Sequence, residues 1–553
     1  MNVKEISFDI KYKANGKKYN CQSAQCEHFS LNYSIEDGVL KMSVIPTAKV
    51  EFLNFDVKLP YKYKSENRIF VNGYQSWTDS MEYAPDEKMS ELTRITRALF
   101  TSPLGNRIGL SKSGDNLFWT YPRKRGIFYG WSYGYVRNGN SVEIFGSLSE
   151  RSGYTVFTFD CYADLVIISK ELQGVVYDSE KTLMEVAFVE GEYDEAFDEY
   201  FRKMNVTSRE SKKRVGYTSW YNYYSHINEE VINRDLSSIA DQEIKFDCFQ
   251  IDDGYQQAIG DWLITDKNKF PHGMKAVADS IHKNGMLAGL WLAPFAGTKR
   301  SQLFREHRDW FIKDKHGKPY NTGHNWGGFY SLDIYNPDVR SYLKHVFDVV
   351  LNEWGYDLVK LDFLYGACVL PIHGKSRGEI MCDAMDLIRE CCGDKLVLGC
   401  GVPLMPAFGK VDYCRIGSDI HLKWNNRKYT MREDVSTPHA VCNSIFRRHL
   451  DGRAWKNDPD VFLLRDNNIG MTFKQRKMLA KVNSTFGSLL FISDDVSLYK
   501  EEQKIALKET FEPKQVKILS AGFERKDVMK ADYIQNGERK TMRFNVRTGE
   551  ELD

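Results

Sequence analysis

Short runs of alternating apolar and polar residues fill the first 205 residues. Segments such as VEFLNFDVKL (50–59) and YTVFTFDCYA (154–163) recur between turn signals, and such alternation is typical of half-buried strands. The segment NLFWTYP (116–122) fits the same interpretation. Many short strands without long helical stretches predict an N-terminal β-sandwich domain over 1–205, with a short amphipathic helix near its end as the linker.

From about residue 214, apolar strands alternate with helical segments. This alternation of strands and helices predicts a (β/α)8 TIM barrel over 206–496, followed by a small C-terminal β-domain over 497–553. The fold class is therefore multidomain α/β. A doubly wound sheet is the alternative, but no GxGxxG follows a strand. The predicted barrel strands are RVGYTSW, FDCFQIDD, MLAGLWLAP, YDLVKLDFL, KLVLGCGV, VDYCRIGSD and SLLFISD, with one more near GRAWKNDPD.

Composition narrows the class of protein. A chain of 553 residues is expected to form two or three domains, and a net charge of +1 gives no case for binding nucleic acid or an anionic membrane. The N-terminus has no signal-like pattern, and no apolar stretch is long enough to span a membrane. The 11 cysteines have no paired ligand spacing. We therefore expect reduced thiols, a cytoplasmic location and a protein that is open to homo-oligomer formation.

Charged residues interrupt two of the predicted barrel strands. In YDLVKLDFLY, alternation puts Lys360 and Asp362 on the inward face and Phe363 on the face toward the helices. In DYCRIGSD, Arg415 and Asp419 share a face. Catalytic groups of a barrel lie at the carboxyl ends of its strands. The alternative is that each pair is a structural ion pair, which a buried charge also requires.

Two further strands end in residues suited to a polar cavity. Asp252 and Asp253 close FDCFQIDD, and Trp291 lies near the end of MLAGLWLAP. Each could instead serve a turn or the core. The chain has no HExxH, Cys/His cluster or GxSxG, so we predict neither metal nor cofactor. Paired carboxylates without a metal are typical of glycoside hydrolysis.

In combination these motifs resemble glycoside hydrolase family 36, the α-galactosidases of clan D. The resemblance runs from Tyr217 to about Arg465 and also reaches the β-domain. It rests on SWYNYY (219–224), QIDDGYQ (250–256) with GDW, the strand VKLDF, the segment CRIGSD and VNGYQSW (71–77).

The resemblance implies a role for each matching residue. It makes Asp362 the nucleophile and Asp419 the general acid/base of a retaining exo-α-galactosidase. It places Trp77, Asp252, Asp253, Trp291, Lys360, Cys400, Gly401 and Arg415 around the terminal galactose of a small oligosaccharide. Lys360 is expected to keep the nucleophile ionised, and Arg415 to turn away from Asp419 toward substrate or another carboxylate.

Alternatives with the same carboxylates are an α-N-acetylgalactosaminidase and a raffinose-synthase-like transglycosylase. A non-catalytic galactoside-binding protein is the alternative from another class, although both carboxylates are present. The segment GCGVP (399–403) departs from the CxxGG-type sequence of many family members. Bulky apolar residues in the strand-five loop, Val402 to Met405, predict preference for galactose over its 2-acetamido analogue.

Overall fold

The first 205 residues fold as two antiparallel sheets of seven strands each. The computed structural model describes residues 6–90, 93–112, 114–425 and 432–553. One sheet comprises Lys17–Cys21, Ser7–Ala14, Val50–Pro60, Leu165–Glu171, Tyr154–Asp160 and Ile127–Trp131 in that order, with Val176–Tyr177 beside Val50–Pro60. The other comprises Phe29–Glu36, Val39–Pro46, Lys181–Glu192, Ser141–Ser147, Tyr133–Asn138, Arg68–Val71 and Met81–Tyr83.

Aromatic rings join the inner faces of the two sheets. Phe29 of one sheet meets Phe52 of the other with ring centroids 5.3 Å apart, and Phe145 meets Phe159 at 5.8 Å. Offset and edge-on rings of this kind bury large apolar areas, so they form the core of the sandwich. The predicted β-sandwich is present.

One predicted strand in this region is wrong. The segment NLFWTYP contains a 3-10 helix at Asn116–Trp119, capped by Asp115, and the helices Arg94–Phe100 and Pro103–Ile108 precede it. Asp115 accepts hydrogen bonds from the backbone N–H of Phe118 and from the Trp131 indole. Apolar richness alone therefore misled the prediction, because a buried capping carboxylate sets the local conformation.

Eight parallel strands form the barrel. In chain order they are barrel strands 1 to 8: Arg214–Thr218, Cys248–Ile251, Leu287–Leu292, Leu358–Leu361, Leu396–Gly399, Tyr413–Arg415, Lys456–Asp458 and Leu489–Ile492. Their spatial order is 7-6-5-4-3-2-1-8, and the strands that are neighbours in this order pair in parallel. Strands 7 and 8 lie side by side where Ser488 N–H donates to the Asn457 carbonyl at 2.8 Å. The predicted TIM barrel is confirmed as a nearly closed parallel barrel.

Helices surround this barrel and connect its strands. Pro337–Asp348 continues into a π-helical turn at Val349–Glu353, and Gly355, at φ +82°, follows the end of this segment. The other α-helices in and after the described barrel region are Trp220–Tyr223, Glu229–Ala240, Gly273–Lys283, Gln302–Glu306, Arg377–Cys392, Thr437–Phe446, Phe473–Phe486 and Glu501–Phe511, and a 3-10 helix spans Leu364–Cys368.

The helix Tyr193–Met204 packs on the sandwich and also touches the barrel. Its Phe197 ring stacks on the buried imidazole of His449, 3.9 Å away, and Tyr133 of the sandwich hydrogen-bonds the same imidazole at 2.8 Å. The predicted linker helix therefore takes part in a packed interface between the two halves.

Two small antiparallel sheets complete the fold. Ala296–Thr298, Phe329–Ser331 and Asn321–Gly323 form one sheet within the barrel region. Val516–Arg525, Val528–Gln535 and Glu538–Asn545 form the other, after the helix Glu501–Phe511.

Cysteines occur in two states. Cys248, Cys400 and Cys414 are buried free thiols, as expected, whereas Cys21 and Cys26 are joined by a disulfide that the sequence did not predict. Among the described helices, none is both long and apolar enough to cross a membrane.

Candidate active site

A cavity of 520 Å³ opens at the carboxyl ends of the barrel strands. Seven of the ten predicted site residues line it, from barrel strands 2, 3, 4 and 6 and from the sandwich. These seven are Trp77, Asp252, Asp253, Trp291, Lys360, Asp362 and Asp419. The other three do not line the cavity in the described part of the chain but contact residues that do. Cys400 and Gly401 contact Trp77, and Arg415 contacts Asp419.

Lys360 lies deep in the cavity and pairs with Asp252. Its Nζ is 2.8 Å from Asp252 Oδ2, which also accepts a hydrogen bond from Gln250 at 2.8 Å. Burial alone would lower the pKa of Lys360, but Asp252 raises it and the net shift is upward. Lys360 is therefore a cation in the floor of the cavity.

Asp362, immediately after barrel strand 4, accepts hydrogen bonds at both carboxylate oxygens. Trp291 Nε1 donates to Oδ2 at 3.1 Å, and the Phe363 backbone N–H donates to Oδ1 at 2.9 Å. The Cys400 thiol is a further hydrogen-bond partner. These contacts fix the carboxylate in one orientation.

The charge environment of Asp362 differs from the sequence-based expectation. Burial raises its pKa, and the positive charge of Lys360 and the hydrogen bonds from Trp291 and Cys400 offset only part of that increase. Lys360 does lower the pKa of Asp362, but its direct partner is Asp252. Lys360 therefore acts on Asp362 in the expected direction, while burial makes the net shift of the Asp362 pKa upward.

Phe363 faces the cavity instead of the helices. Its φ is +53°, so the chain leaves the extended conformation right after Asp362 and the strand alternation stops. The Phe363 ring then lies 4.9 Å from Trp77 and 4.5 Å from Trp326. The predicted outward orientation of Phe363 is wrong because the strand ends at Leu361.

Asp253 also faces the cavity, beside Asp252. Its Oδ2 accepts from Trp326 Nε1 at 3.2 Å and its Oδ1 from the Gln256 amide at 2.5 Å. Burial raises the pKa of Asp253, and the Gln256 hydrogen bond partly offsets this. Both aspartates of QIDDGYQ therefore lie at the site.

Arg415 is buried behind Asp419 and contacts three carboxylates. It lies 2.9 Å from Asp419, 3.0 Å from Asp458 and 2.8 Å from Asp460. Our expectation that Arg415 turns away from Asp419 is wrong, although it does reach two other carboxylates. A short segment after barrel strand 6 allows both contacts, because Arg415 and Asp419 are only four residues apart.

The sandwich supplies Trp77 through a loop that is anchored to the barrel. Ser76 N–H donates to the Val402 carbonyl at 2.9 Å, and Trp77 Nε1 donates to Cys400 Sγ at 3.3 Å. A Cβ on Gly401 would lie 2.8 Å from the Trp77 ring. The Trp77 ring therefore packs on the backbone of the strand-five loop.

The apolar residues of that loop do not face the cavity as we expected. Val402 and Leu404 are buried in the core, and Pro403 forms a bridge with Gln75. Trp77, and not the apolar side chains of this loop, lies next to Gly401 at the cavity wall.

Several residues of the cavity were not predicted. Trp220 lies within the quoted motif SWYNYY, so that motif carried the signal, and Trp326 precedes Gly327 and Gly328 in a segment with no periodic pattern. Lys112, Glu433 and Asp434 come from loops whose position depends on tertiary contacts. Asp460 was also not predicted; it lies behind Asp419, two residues after barrel strand 7, in the segment KNDPD, where charge next to a strand end was the available signal.

The fold and the carboxylate-lined cavity together define a class. A β-sandwich joined to a TIM barrel, with aspartates at the strand ends around one cavity, is the architecture of a glycoside hydrolase. Residues 184–367 match the family model described as Melibiase.

Comparison with individual proteins shows which enzymes the chain is similar to. The chain is similar to the α-galactosidase of Thermus thermophilus, solved in complex with p-nitrophenyl α-D-galactopyranoside, with 25% identity, a TM-score of 0.71 and coverage of 96% of this chain and 98% of that one. The predicted resemblance to glycoside hydrolase family 36 α-galactosidases is confirmed.

Curated relatives match over shorter stretches. A blood-group A α-D-galactosamine galactosaminidase of Flavonifractor plautii is 31% identical over 140 residues, which are 23% of this chain and 13% of that protein. The α-galactosidase AgaA of Geobacillus stearothermophilus is 27% identical over 161 residues, 28% of this chain and 21% of that protein. The alignments thus span less than a quarter of the length of either relative.

Proposed function

We propose that the protein is a retaining exo-α-galactosidase that removes terminal α-linked galactose from small oligosaccharides. The observation that carries this proposal is that Asp362 and Asp419 open into one cavity above a buried Lys360–Asp252 pair. Two carboxylates facing one sugar-sized space are what double displacement requires. The proposal also draws on the likeness to α-galactosidases.

In the first step, an Asp362 oxygen attacks the anomeric carbon while Asp419 gives its proton to the departing glycosidic oxygen. The C1–O bond to the leaving group breaks, and a covalent galactosyl ester on Asp362 forms with inverted configuration. Trp291 and the Phe363 N–H aim the attacking carboxylate through the hydrogen bonds described above.

In the second step, Asp419 takes a proton from water, and that water attacks C1. The ester breaks and the sugar leaves with its original configuration. The solvent exposures of the two carboxyl groups fit a nucleophile at Asp362 and an acid/base at Asp419. Asp362 is 8% exposed as a residue, whereas 36% of the Asp419 side chain is exposed, so Asp419 can meet both the leaving group and water.

The terminal galactose would lie over Asp252, Asp253 and Lys360. Carboxylates and an ammonium group at this depth can hydrogen-bond the sugar hydroxyls that family members place there, O4 and O6. Trp77, Trp291 and Trp326 supply ring faces and edges at the cavity walls. We propose that these six residues hold the sugar while the two carboxylates act on it.

Preference for galactose over N-acetylgalactosamine is part of the proposal. The Trp77 ring lies against Gly401 and Cys400, where the 2-substituent is expected, and a buried acetamide without partners costs about 1–3 kcal/mol. The similarity to a galactosaminidase is the reason to test α-N-acetylgalactosaminidase activity as the alternative. A kcat/KM ratio favouring the N-acetyl substrate would overturn this part and leave the carboxylate roles in place.

The proposal is tested by assaying the purified protein on matched nitrophenyl glycosides. We expect turnover of the α-galactoside and none of the β-galactoside, with NMR showing the α-anomer of galactose as the first product. First release of the β-anomer would exclude retention. A transglycosylase would instead transfer galactose to an added sugar acceptor in preference to water.

Two further assignments are proposals. We divide the chain at about residues 205 and 496, in line with the change from sandwich to barrel and from barrel to the last small sheet. We also propose a cytoplasmic location, which the nine free cysteines support. Because disulfides such as Cys21–Cys26 persist mainly in oxidising compartments, thiol labelling of the protein in intact cells would test the location.

A further inference from the structure

The wall behind Asp419 contains an excess of acidic groups. Arg415 is the cation shared by Asp419, Asp458 and Asp460, so one guanidinium faces three carboxylates. Asp458 and Asp460 are fully buried. If all four groups were ionised, this Arg415 cluster would carry a net charge of −2 with two of its three carboxylates fully buried, which is costly.

Asp460 is held in the cluster by an ion pair and by hydrogen bonds that it accepts. Its Oδ2 accepts hydrogen bonds from Tyr221 and from the Ile420 N–H, and its Oδ1 lies 2.8 Å from Arg415 Nη2. Within the described chain, Oδ1 has no partner with hydrogen-bond geometry. Burial raises the pKa of Asp460 above its usual value, with Asp419 and Asp458 adding to the increase and Arg415 and Tyr221 opposing it.

The backbone holds Asp460 firmly in this position. Its φ is +77°, an unusual value for a residue with a side chain, and its carbonyl accepts a hydrogen bond from the Asn483 amide at 2.9 Å. Its own N–H donates to Asp458 at 2.8 Å. A conformation that several contacts maintain against strain is a reason to look for a function.

The acid role of Asp419 poses a problem that Asp460 can solve. A guanidinium 2.9 Å away favours the ionised form of Asp419, whereas the first chemical step needs the protonated form. If Asp458 and Asp460 pair with Arg415 and offset its positive charge, the guanidinium stabilises the ionised form of Asp419 less.

We propose that Asp460 is a positioning residue for catalysis, which acts through Arg415 so that Asp419 keeps the proton it will give to the leaving group. This rests on the acid/base role of Asp419 proposed above. Asp460 and Asp419 are linked through the guanidinium of Arg415, which contacts both carboxylates. Other ionisable groups near Asp419 are Asp362, Tyr221, Tyr224 and Cys400.

The test is the pH dependence of kcat/KM for Asp460→Asn with melibiose, whose sugar leaving group needs the proton. Without the negative charge of Asp460, Arg415 pairs more strongly with Asp419, which then loses its proton at lower pH. We expect the basic limb of the profile to move to lower pH by about one unit, since one charge within a few ångströms has an effect of this size. The acidic plateau should change much less.

Asp494→Asn is the matched control. Asp494 is also fully buried and paired with an arginine, Arg465, at 3.2 Å, but it does not contact Asp419. Its variant should leave the basic limb where the wild type has it. An equal shift in both variants, or no shift in a folded Asp460→Asn variant, would overturn the proposal.

Tyr221→Phe provides a second variant if Asp460→Asn does not fold. It removes the hydroxyl that donates to Asp460 while it keeps the buried ring, so the basic limb should move in the same direction by a smaller amount. An unchanged limb in this variant would count against the proposal. If Asp419→Ala loses equal activity on all leaving groups, the acid/base role fails, which is a different result from failure of Asp460 alone.

Discussion

The hydrogen bond from Trp291 to Asp362 is the contact whose loss gives the sharpest pH signature. Trp291→Phe removes the indole N–H that donates to Asp362 Oδ2 at 3.1 Å but keeps an aromatic ring in the buried position. The N–H stabilises the ionised carboxylate, so it lowers the pKa of Asp362. Without it, the pKa of Asp362 rises further above its usual range.

The size of the shift follows from the energy of such a bond. A hydrogen bond to a charged group contributes about 1.5–3 kcal/mol, and one pKa unit corresponds to about 1.36 kcal/mol. The pKa of Asp362 should therefore rise by roughly one to two units, toward one if water replaces the indole. Because Asp362 attacks only when ionised, kcat/KM falls as pH falls through this pKa, and the acidic limb moves to higher pH.

The assay is kcat/KM for p-nitrophenyl α-galactoside against pH, which reports ionisations of the free enzyme. Trp262→Phe is the matched control. Trp262 is fully buried 5.8 Å from the Trp291 ring, and its Nε1 has no hydrogen-bond partner in the described part of the chain. The control should leave the acidic limb in place. An unmoved limb in Trp291→Phe would refute the assignment of this hydrogen bond to the nucleophile.

Three further variants test neighbouring parts of the account. Asp362→Gly should abolish turnover, and added azide should restore part of it as a β-galactosyl azide, whereas near-normal turnover would exclude Asp362 as nucleophile. Asp419→Ala should slow melibiose by roughly 10²–10⁴-fold more than activated aryl galactosides, since only the former needs the acid; equal losses would exclude the role. Gly401→Ala should raise KM by displacing Trp77, while Gly393→Ala, with the same φ of +54° but no described atom within 4 Å of its Cβ, should not.

The barrel was predictable because its strands are buried on both faces. Parallel barrel strands read as short apolar runs, and the charges that break those runs stand out. Lys360 and Asp362 were found in this way, as were Asp252 and Asp253. The same argument applied to KNDPD would have found Asp460, but that strand has only three residues, Lys456–Asp458, and few apolar ones.

The parts that were missed depend on contacts between distant segments. Alternation could not predict that Phe363 adopts a positive φ and enters the cavity. The carboxylates that pair with Arg415 could not be predicted from local sequence either. Arg415 meets Asp458 and Asp460 only because barrel strands 6 and 7 lie side by side. Likewise, the position of Trp77 follows from the docking of the sandwich loop on Val402.

The covalent intermediate is the most direct test of the central claim that this is a retaining enzyme with Asp362 as nucleophile. The protein would be incubated with a fluorinated α-galactosyl fluoride, whose fluorine substituent slows the second step more than the first, and then digested and analysed by peptide mass spectrometry. We predict one added fluorogalactosyl group, on the peptide that contains Asp362, with loss of activity in proportion to labelling. A label on another carboxylate, or complete turnover without any trapped ester together with first release of the β-anomer, would contradict the account.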